Sequence, residues 1–281
     1  MIPMKTLYLD HNVIIDIQNN RKPDVVKSIK TINNNQHQIF FSPAHIEEIA
    51  ALKFHHGEDA EKIQSLIDLL AKITNSKALL PFKRAGTAQV KKAGIYVSNE
   101  HPNVTYARVV ANHEINSIAE NHQKEKIANG ERIERETGIT PKETNNIAIN
   151  KEIDLFKTQL YQIILNNHQV FSKTPHLAKC IPDRAPAYHE INFQYLGEHF
   201  PMHEMAIEKI FEFLEARRYF PDKSTQFLSG LHDTTHAIYA AYCDIFVTND
   251  NKLKNKATAT YEWLGINTLI LKPEELIDYL S

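Results

Sequence analysis

Two short apolar runs, each stopped by an aspartate, stand at opposite ends of the sequence. They constrain the fold more than any other feature. Near the start, Leu7 and Leu9 alternate with Thr6 and Tyr8, and the run ends at Asp10. Near the finish, the apolar run Ile245–Val247 closes on Thr248-Asn249-Asp250. Both read as strands, the first by its period-two alternation. Helical spacings lie between such strands at both ends, and strands that alternate with helices build a parallel sheet. Asp10 and Asp250 then share the carboxyl edge of one sheet, where ligands bind in open α/β folds.

The intervening chain fits this plan. Asn12 follows Asp10, and the apolar run Val13, Ile14, Ile15, Ile17 comes after it. Val25, Val26 and Ile29 mark a helix over 24–32, and Asn33-Asn34-Asn35 a loop. Ile39–Phe41 is a second strand. Ser42-Pro43 then opens a helix, since serine caps well and proline is tolerated in the first turn; Glu47 and Glu48 lie in that helix. Ile63, Leu66, Ile67, Leu70 and Ile73 have the spacing of a buried helical stripe. From Ser76 to Ser224 almost no strand is expected. Val104, Ala111, Ile115 and Ile118 mark a long polar helix. Thr140-Pro141-Lys142-Glu143 is a capping box that launches the stripe Ile149, Ile153, Phe156, Leu160, Ile163. Ser172–Pro201 holds four prolines and reads as a long connection. Met205–Phe220 is helical, Thr268–Leu271 a strand, and Lys272-Pro273-Glu274-Glu275 the start of a closing helix.

The bulk numbers exclude several classes. At 281 residues and 42% hydrophobic, the chain can bury a sizeable core. A net charge of −2 leaves no global basic footprint, although a local patch suffices for nucleic acid. Two cysteines, Cys180 and Cys243, exclude a disulfide scaffold and fit a reducing cytoplasm. No apolar signal region precedes Asp10. The longest apolar run, Ala237–Cys243, is far short of a membrane span.

Each acid is ordinary by itself. Asp10 can simply end a strand, Asp233 cap the helical run before Ile245, Asp250 make a turn, and Glu48 face solvent. Asp16 and Asp244 read as surface or capping residues. Together, however, Asp10, Glu48, Asp233 and Asp250 are all placed to meet at one sheet edge. Two like charges 4 Å apart repel by roughly 4 kcal/mol at an effective dielectric of ~20. Converging carboxylates therefore hold protons or a divalent cation, and all-oxygen ligation points to Mg²⁺ or Mn²⁺ rather than zinc.

These stretches resemble a PIN-domain nuclease: Leu7 to Asp16, Phe41 to Glu48, and Asp233 to Asp250 with its Val247-Thr248-Asn249-Asp250 ending. The resemblance covers about 1–75 and 226–281. It implies a Rossmann-like, three-layer α/β fold with a parallel sheet, made discontinuous by a large, mainly helical insertion at 76–225. It implies Asp10, Glu48, Asp233 and Asp250 as catalytic and metal-binding acids, with Asn12 and Thr248 as supporting polar residues. Glu47 rivals Glu48, and the distance from Ser42 favours Glu48. The implied activity is Mg²⁺- or Mn²⁺-assisted phosphodiester hydrolysis of RNA that leaves a 5′-phosphate, with DNA as the alternative substrate. Lys252 and Lys254 are the candidate phosphate contacts, joined by Lys256; Arg84, Lys91, Lys92, Arg217 and Arg218 are weaker ones. The insertion can grip RNA, pair with a second copy or hold a regulatory partner. Toxin, defence effector and RNA-processing enzyme are equally compatible.

Three other readings compete with this one. His232-Asp233 resembles the metal pair of HD-type phosphohydrolases, but those folds are all-helical and leave Asp10 and Asp250 without a role. His232 and His236 have zinc-pair spacing, yet Asp233 stands where the zinc protease motif has glutamate, and no third ligand is identifiable. His236 reads instead as packed against the sheet or near the acids. A PIN-like module that binds RNA or a partner without cutting is the non-enzymatic alternative.

Overall fold

The computed structural model describes every residue except 1–3, 31, 33–35, 58, 112–115, 139, 223–226 and 281. The expected loop at 33–35, Ile115 and the expected boundary at 225/226 lie outside the described residues.

The parallel sheet is built from both ends of the sequence, as expected. Its order is β2 (His37–Phe40), β1 (Lys5–Leu9), β6 (Ile245–Val247), β7 (Leu269–Leu271). Leu7 pairs with Ile39 on one side and Ile245 on the other. The period-two alternation sorts the side chains to the two faces. Leu7, Leu9, Ile39, Ile245 and Val247 enter one core cluster. There they meet α1 (His11–Gln18), α2 (Pro23–Lys30), α4 (Ala60–Thr74) and α13 (Pro273–Leu280). Tyr8, Phe40 and Phe246 enter the other cluster. It also takes side chains of α8 (Ile149–Ser172), α10 (Phe200–Ala216), α11 (Phe227–Ala240) and α12 (Asn251–Leu264). Side chains from within 76–225 thus cover the second sheet face. The all-helical arrangement implied by the His-Asp reading is absent. No helix among the described residues is long and apolar enough to cross a membrane.

The segment 76–225 departs from expectation at its start. β3 (Lys77–Leu80), β4 (Gln89–Lys92) and β5 (Ile95–Asn99) form an antiparallel sheet of order β3-β5-β4. It is joined to the parallel sheet through Phe41, whose N–H donates to Lys77 O (3.0 Å) and whose carbonyl accepts from Leu79 N–H (2.8 Å). β3 is buried at three successive positions and β4 is largely exposed, so neither shows the alternation that reveals a strand. The β4–β5 turn docks by close backbone approach. Gly94 N–H donates to Gly197 O (2.7 Å), and a Cβ at Gly94 would lie 2.6 Å from that oxygen and 2.8 Å from His199 N. Gly94→Ala is therefore expected to cost about 1–3 kcal/mol, the range for overpacking against groups that must move. Urea unfolding measures it; an unchanged midpoint would show that the turn yields freely.

Two helix starts also differ. The Thr140 capping box launches only the single turn α7 (Pro141–Thr144), and α8 begins separately at Ile149. α11 begins at Phe227, so Asp233 sits inside it rather than at its head. Gly230 hides that earlier start in the sequence. Helix is found at α5 (Pro102–Ala111) and α6 (Asn116–Thr137), and 173–192 is mostly turns, with a 3-10 turn at Tyr188–Glu190.

His203 on α10 is fully buried, edge-on to Phe193 and Tyr242, with Nε2 3.3 Å from Ile238 O. Burial pushes its pKa down from 6.5 to about 4. The unfolded chain takes its proton near 6.5 while the folded chain refuses it. The contribution is therefore full above 6.5 and is lost as pH falls from 6.5 to 4. At pH 4.5 this amounts to about 2–3 kcal/mol. In His203→Gln, the stability lost between pH 7.5 and 4.5 should be smaller by that amount. Equal acid losses in urea titrations of the two proteins would refute it.

Candidate metal centre

Asp10 follows β1 directly. Its N–H donates to Val247 O (2.8 Å), which extends the ladder by one step and fixes the side chain at the carboxyl edge. It stands at the N-cap position of α1, yet its carboxylate caps nothing and is 1% exposed. Thr248, at the same edge after β6, donates its hydroxyl to Asp10 Oδ2 (2.8 Å) and accepts from Asp250 N–H (3.0 Å).

Glu48 is carried by α3 (Pro43–His56), whose first turn is clamped to β1. Ser42 N–H donates to His45 Nδ1 (3.2 Å). His45 must then carry its proton on Nε2, which donates to Leu9 O (2.7 Å). Burial holds the pKa of His45 well below 6.5, so the ring stays neutral and the clamp persists. One imidazole thereby fixes the position of the Glu48 helix against the strand that bears Asp10.

The third member is His236, on α11 and fully buried. Its Nε2 donates to Glu48 Oε2 (2.9 Å), and its Nδ1 meets Tyr8 Oη (2.8 Å), which in turn meets Ser42 Oγ (2.6 Å). One ligand atom each from Asp10, Glu48 and His236 lie within 4.8 Å of one another, a group able to hold a metal ion. His11 is buried beside them. Its Nδ1 is 3.5 Å from Glu48 Oε2 and makes no hydrogen bond among the described residues.

The charges divide by environment. Burial would raise Glu48, but His11 and His236 together outweigh it and hold the carboxyl well below the usual range. Burial lowers His236, but Glu48, through charge and hydrogen bond, and Asp10 outweigh it, so its pKa rises. Asp10 is pushed up, first by burial and also by Glu48. Asp233 is 4% exposed and pushed well up, by burial and then by Asp10, Asp222 and Asp250. Carboxylates gathered with too little positive charge behave this way. Two oxygen donors and one nitrogen donor, with an unpartnered buried imidazole nitrogen alongside, fit a divalent ion.

The structure therefore brings Asp10 and Glu48 together with His236. Asp233 and Asp250 lie outside that tight group, although Asp233 feels both Asp10 and Asp250 electrostatically. Asp250 caps α12: Oδ1 accepts from Lys252 N–H (2.6 Å) and Leu253 N–H (2.9 Å). Of the two glutamates, Glu48 joins Asp10. Glu47 is outside the tight group; burial raises its pKa to about 7, and it feels His236 and Glu48 electrostatically. Asn12 is exposed on α1, and Thr248 is hydrogen-bonded to Asp10. Asp16 accepts from the Asn249 side chain and Asp244 from Thr6, both structural ties.

Among the expected phosphate contacts, Lys252 is half-buried and Lys254 pairs with Glu275 (2.7 Å). Lys256 is no phosphate contact. It is buried, with Nζ 2.9 Å from Asp222 Oδ2 and 3.6 Å from Glu215 Oε2. Arg217 and Arg218 pair with Glu152 and Glu134, and Lys92 donates to Tyr242 O. Sequence pattern alone does not mark His236 and His11 as partners of Asp10 and Glu48. The available signal was spacing: His236 follows Asp233 by one helical turn and so shares its face, and His11 adjoins Asp10. No family model matches this chain, and no curated protein or solved structure matches it.

Proposed function

We propose that the protein is a divalent-metal-dependent endoribonuclease working at the Asp10–Glu48–His236 edge. The observation that carries this is the convergence of those three ligand atoms within 4.8 Å at the carboxyl end of a parallel sheet. Asp233 and Asp250, on adjoining elements, supply further carboxylates to the same edge. A bound Mg²⁺ or Mn²⁺ supplies charge neutralisation at the phosphate and a water of lowered pKa. Asp10 and Glu48 would hold the ion. Thr248 orients Asp10, and His45 fixes the helix that carries Glu48. The choice of RNA, and of a 5′-phosphate on the new end, rests on the resemblance of the Asp10, Glu48 and Asp233–Asp250 stretches to PIN-domain nucleases.

The test is incubation of the purified protein with structured and single-stranded RNA and DNA, with Mg²⁺, Mn²⁺ or chelator. Asp10→Asn and Asp250→Asn run alongside. Cleavage that needs metal and is lost in both variants is expected. Absence of metal-dependent cleavage on every substrate counts against the nuclease; cleavage surviving both substitutions counts against the site. One observation favours a second reading, a module that binds RNA without cutting it. Glu48 Oε2 already faces His236 and His11, which can serve as its counter-charge. RNA retention in a gel-shift assay without any cleavage is its signature.

A further inference from the structure

The donor set at this edge is not all oxygen, and that bears on which ion it takes. His236 Nε2 and Glu48 Oε2 are 2.9 Å apart. Two ligands at right angles on an octahedral ion, each 2.0–2.1 Å from it, are separated by about 3 Å. The pair is thus spaced as neighbouring ligands are. The supporting contacts suit ligation as well. Nδ1 is 2.8 Å from Tyr8 Oη, and Tyr8 Oη is 2.6 Å from Ser42 Oγ. A hydroxyl can accept as well as donate. Ligation requires the other tautomer from the one that donates to Glu48: with the proton on Nδ1 donated to Tyr8 Oη, and Tyr8 donating to Ser42 Oγ, Nε2 is free to present its lone pair to an ion. A ligating histidine is commonly oriented by such a partner on its other nitrogen. His236 is also packed edge-on against His45, ring centroids 4.8 Å apart, on the clamp that holds Glu48. The ring is fully buried and cannot swing to solvent.

We infer that His236 Nε2 is a direct ligand of the ion held by Asp10 and Glu48, and that the site selects a first-row transition metal, Mn²⁺ over Mg²⁺. This rests on the metal-site reading above and sharpens it. Mg²⁺ takes hard oxygen ligands and sheds its waters reluctantly, whereas an imidazole nitrogen adds affinity for Mn²⁺ and the metals beyond it. Tyr8 is then a positioning residue, acting through His236.

The test uses the full chain loaded with Mn²⁺, with pulsed electron paramagnetic resonance as the readout. Directly bound ¹⁴N modulation is expected in the wild type. It should change to the ¹⁵N pattern when histidine is ¹⁵N-labelled and vanish in His236→Gln. Calorimetry with Mn²⁺ and Mg²⁺ should show a Mn²⁺ preference of at least tenfold that largely collapses in His236→Gln. Tyr8→Phe should weaken Mn²⁺ binding by about tenfold, as loss of an orienting partner does. The labelling experiment needs no variant, so a misfolded His236→Gln leaves the inference testable. Mn²⁺ binding that is lost in Asp10→Asn but shows no nitrogen modulation would overturn the imidazole ligand and leave the metal site standing. Modulation that persists in a folded His236→Gln would assign another histidine and overturn it equally. No Mn²⁺ binding, or binding unaffected by Asp10→Asn, would overturn the metal-site reading itself.

Discussion

Replacing Asp10 with asparagine is expected to abolish metal-dependent cleavage and, in the same protein, to raise the melting temperature of the metal-free form. The carboxylate is 1% exposed, and both burial and the charge of Glu48 push its pKa up. The sign follows from linkage. A carboxyl whose folded pKa lies above its unfolded value contributes stability below about pH 4, and that contribution is lost as pH rises through the folded pKa. At neutral pH the ionised group is therefore a cost to the empty site. Asparagine has nearly the same shape, still accepts from Thr248 Oγ1 and carries no charge. A gain on the order of 0.5–2 kcal/mol, the usual size for a single stabilising substitution, is expected. It appears as about 2–6 °C in the melt of a chain of this size. The cleavage rate should fall by at least about 10³-fold, on the scale of losing a main electrostatic contact to the reacting group. Scanning calorimetry without metal and initial cleavage rates with it measure the two halves. A variant that melts several degrees below wild type, or keeps a tenth of its rate, contradicts the assignment. Activity bought with instability is a common trade at functional sites.

The second large effect lies behind the site. Lys256→Met should destabilise the protein by about 3–5 kcal/mol, the loss seen when one partner of a buried ion pair is removed. Lys256 is 2% exposed. Burial alone would lower its pKa, but Asp222, Glu215 and Asp233 outweigh it and raise it, so it is charged across the working range. Its removal leaves Asp222 and Glu215 facing each other, and Arg218, 3.4 Å from Glu215, is already held by Glu134. The expected fall in melting temperature is on the order of 10 °C. Burial raises the pKa of Glu215 from 4.5, so the deficit should shrink as pH falls toward that value and the acid takes up its proton. Adding Asp222→Asn should recover a substantial part of the loss. If the double variant is as unstable as the sum of the singles, Lys256 and Asp222 are not the coupled pair the 2.9 Å contact describes.

The sheet and two of its acids were legible because they depend on local pattern. Alternation at Thr6–Leu9 and the apolar run at Ile245–Val247 place Asp10 and Thr248 on one edge with no tertiary information. Serine then proline after Phe41 starts the helix that carries Glu48. His236 was harder to read. Its role depends on α11 passing over Tyr8 so that one nitrogen meets Tyr8 and the other meets Glu48, and no local pattern encodes that crossing. Lys256 shows the converse failure. In sequence it is one of several lysines after Asp250, but helical phase turns it into the interior, where Asp222 waits. The β3–β5 sheet was missed because one strand is buried on both sides and another is nearly all exposed, so period two is lost in both.

The interleaving of the sheet has a consequence in time. Thr6 and Asp244 are bonded across a sequence separation of 238 residues, and β1 lies between β2 and β6. Contacts this distant in sequence close late in folding. On a ribosome adding 5–20 residues per second, about 10–50 s pass between the emergence of Asp10 and that of His236. During that interval Asp10 and Glu48 exist without the helix that brings His236 and Asp233 to them. A nascent chain therefore carries only part of the proposed metal centre, and any activity that needs the whole of it begins only after α11 has left the exit tunnel.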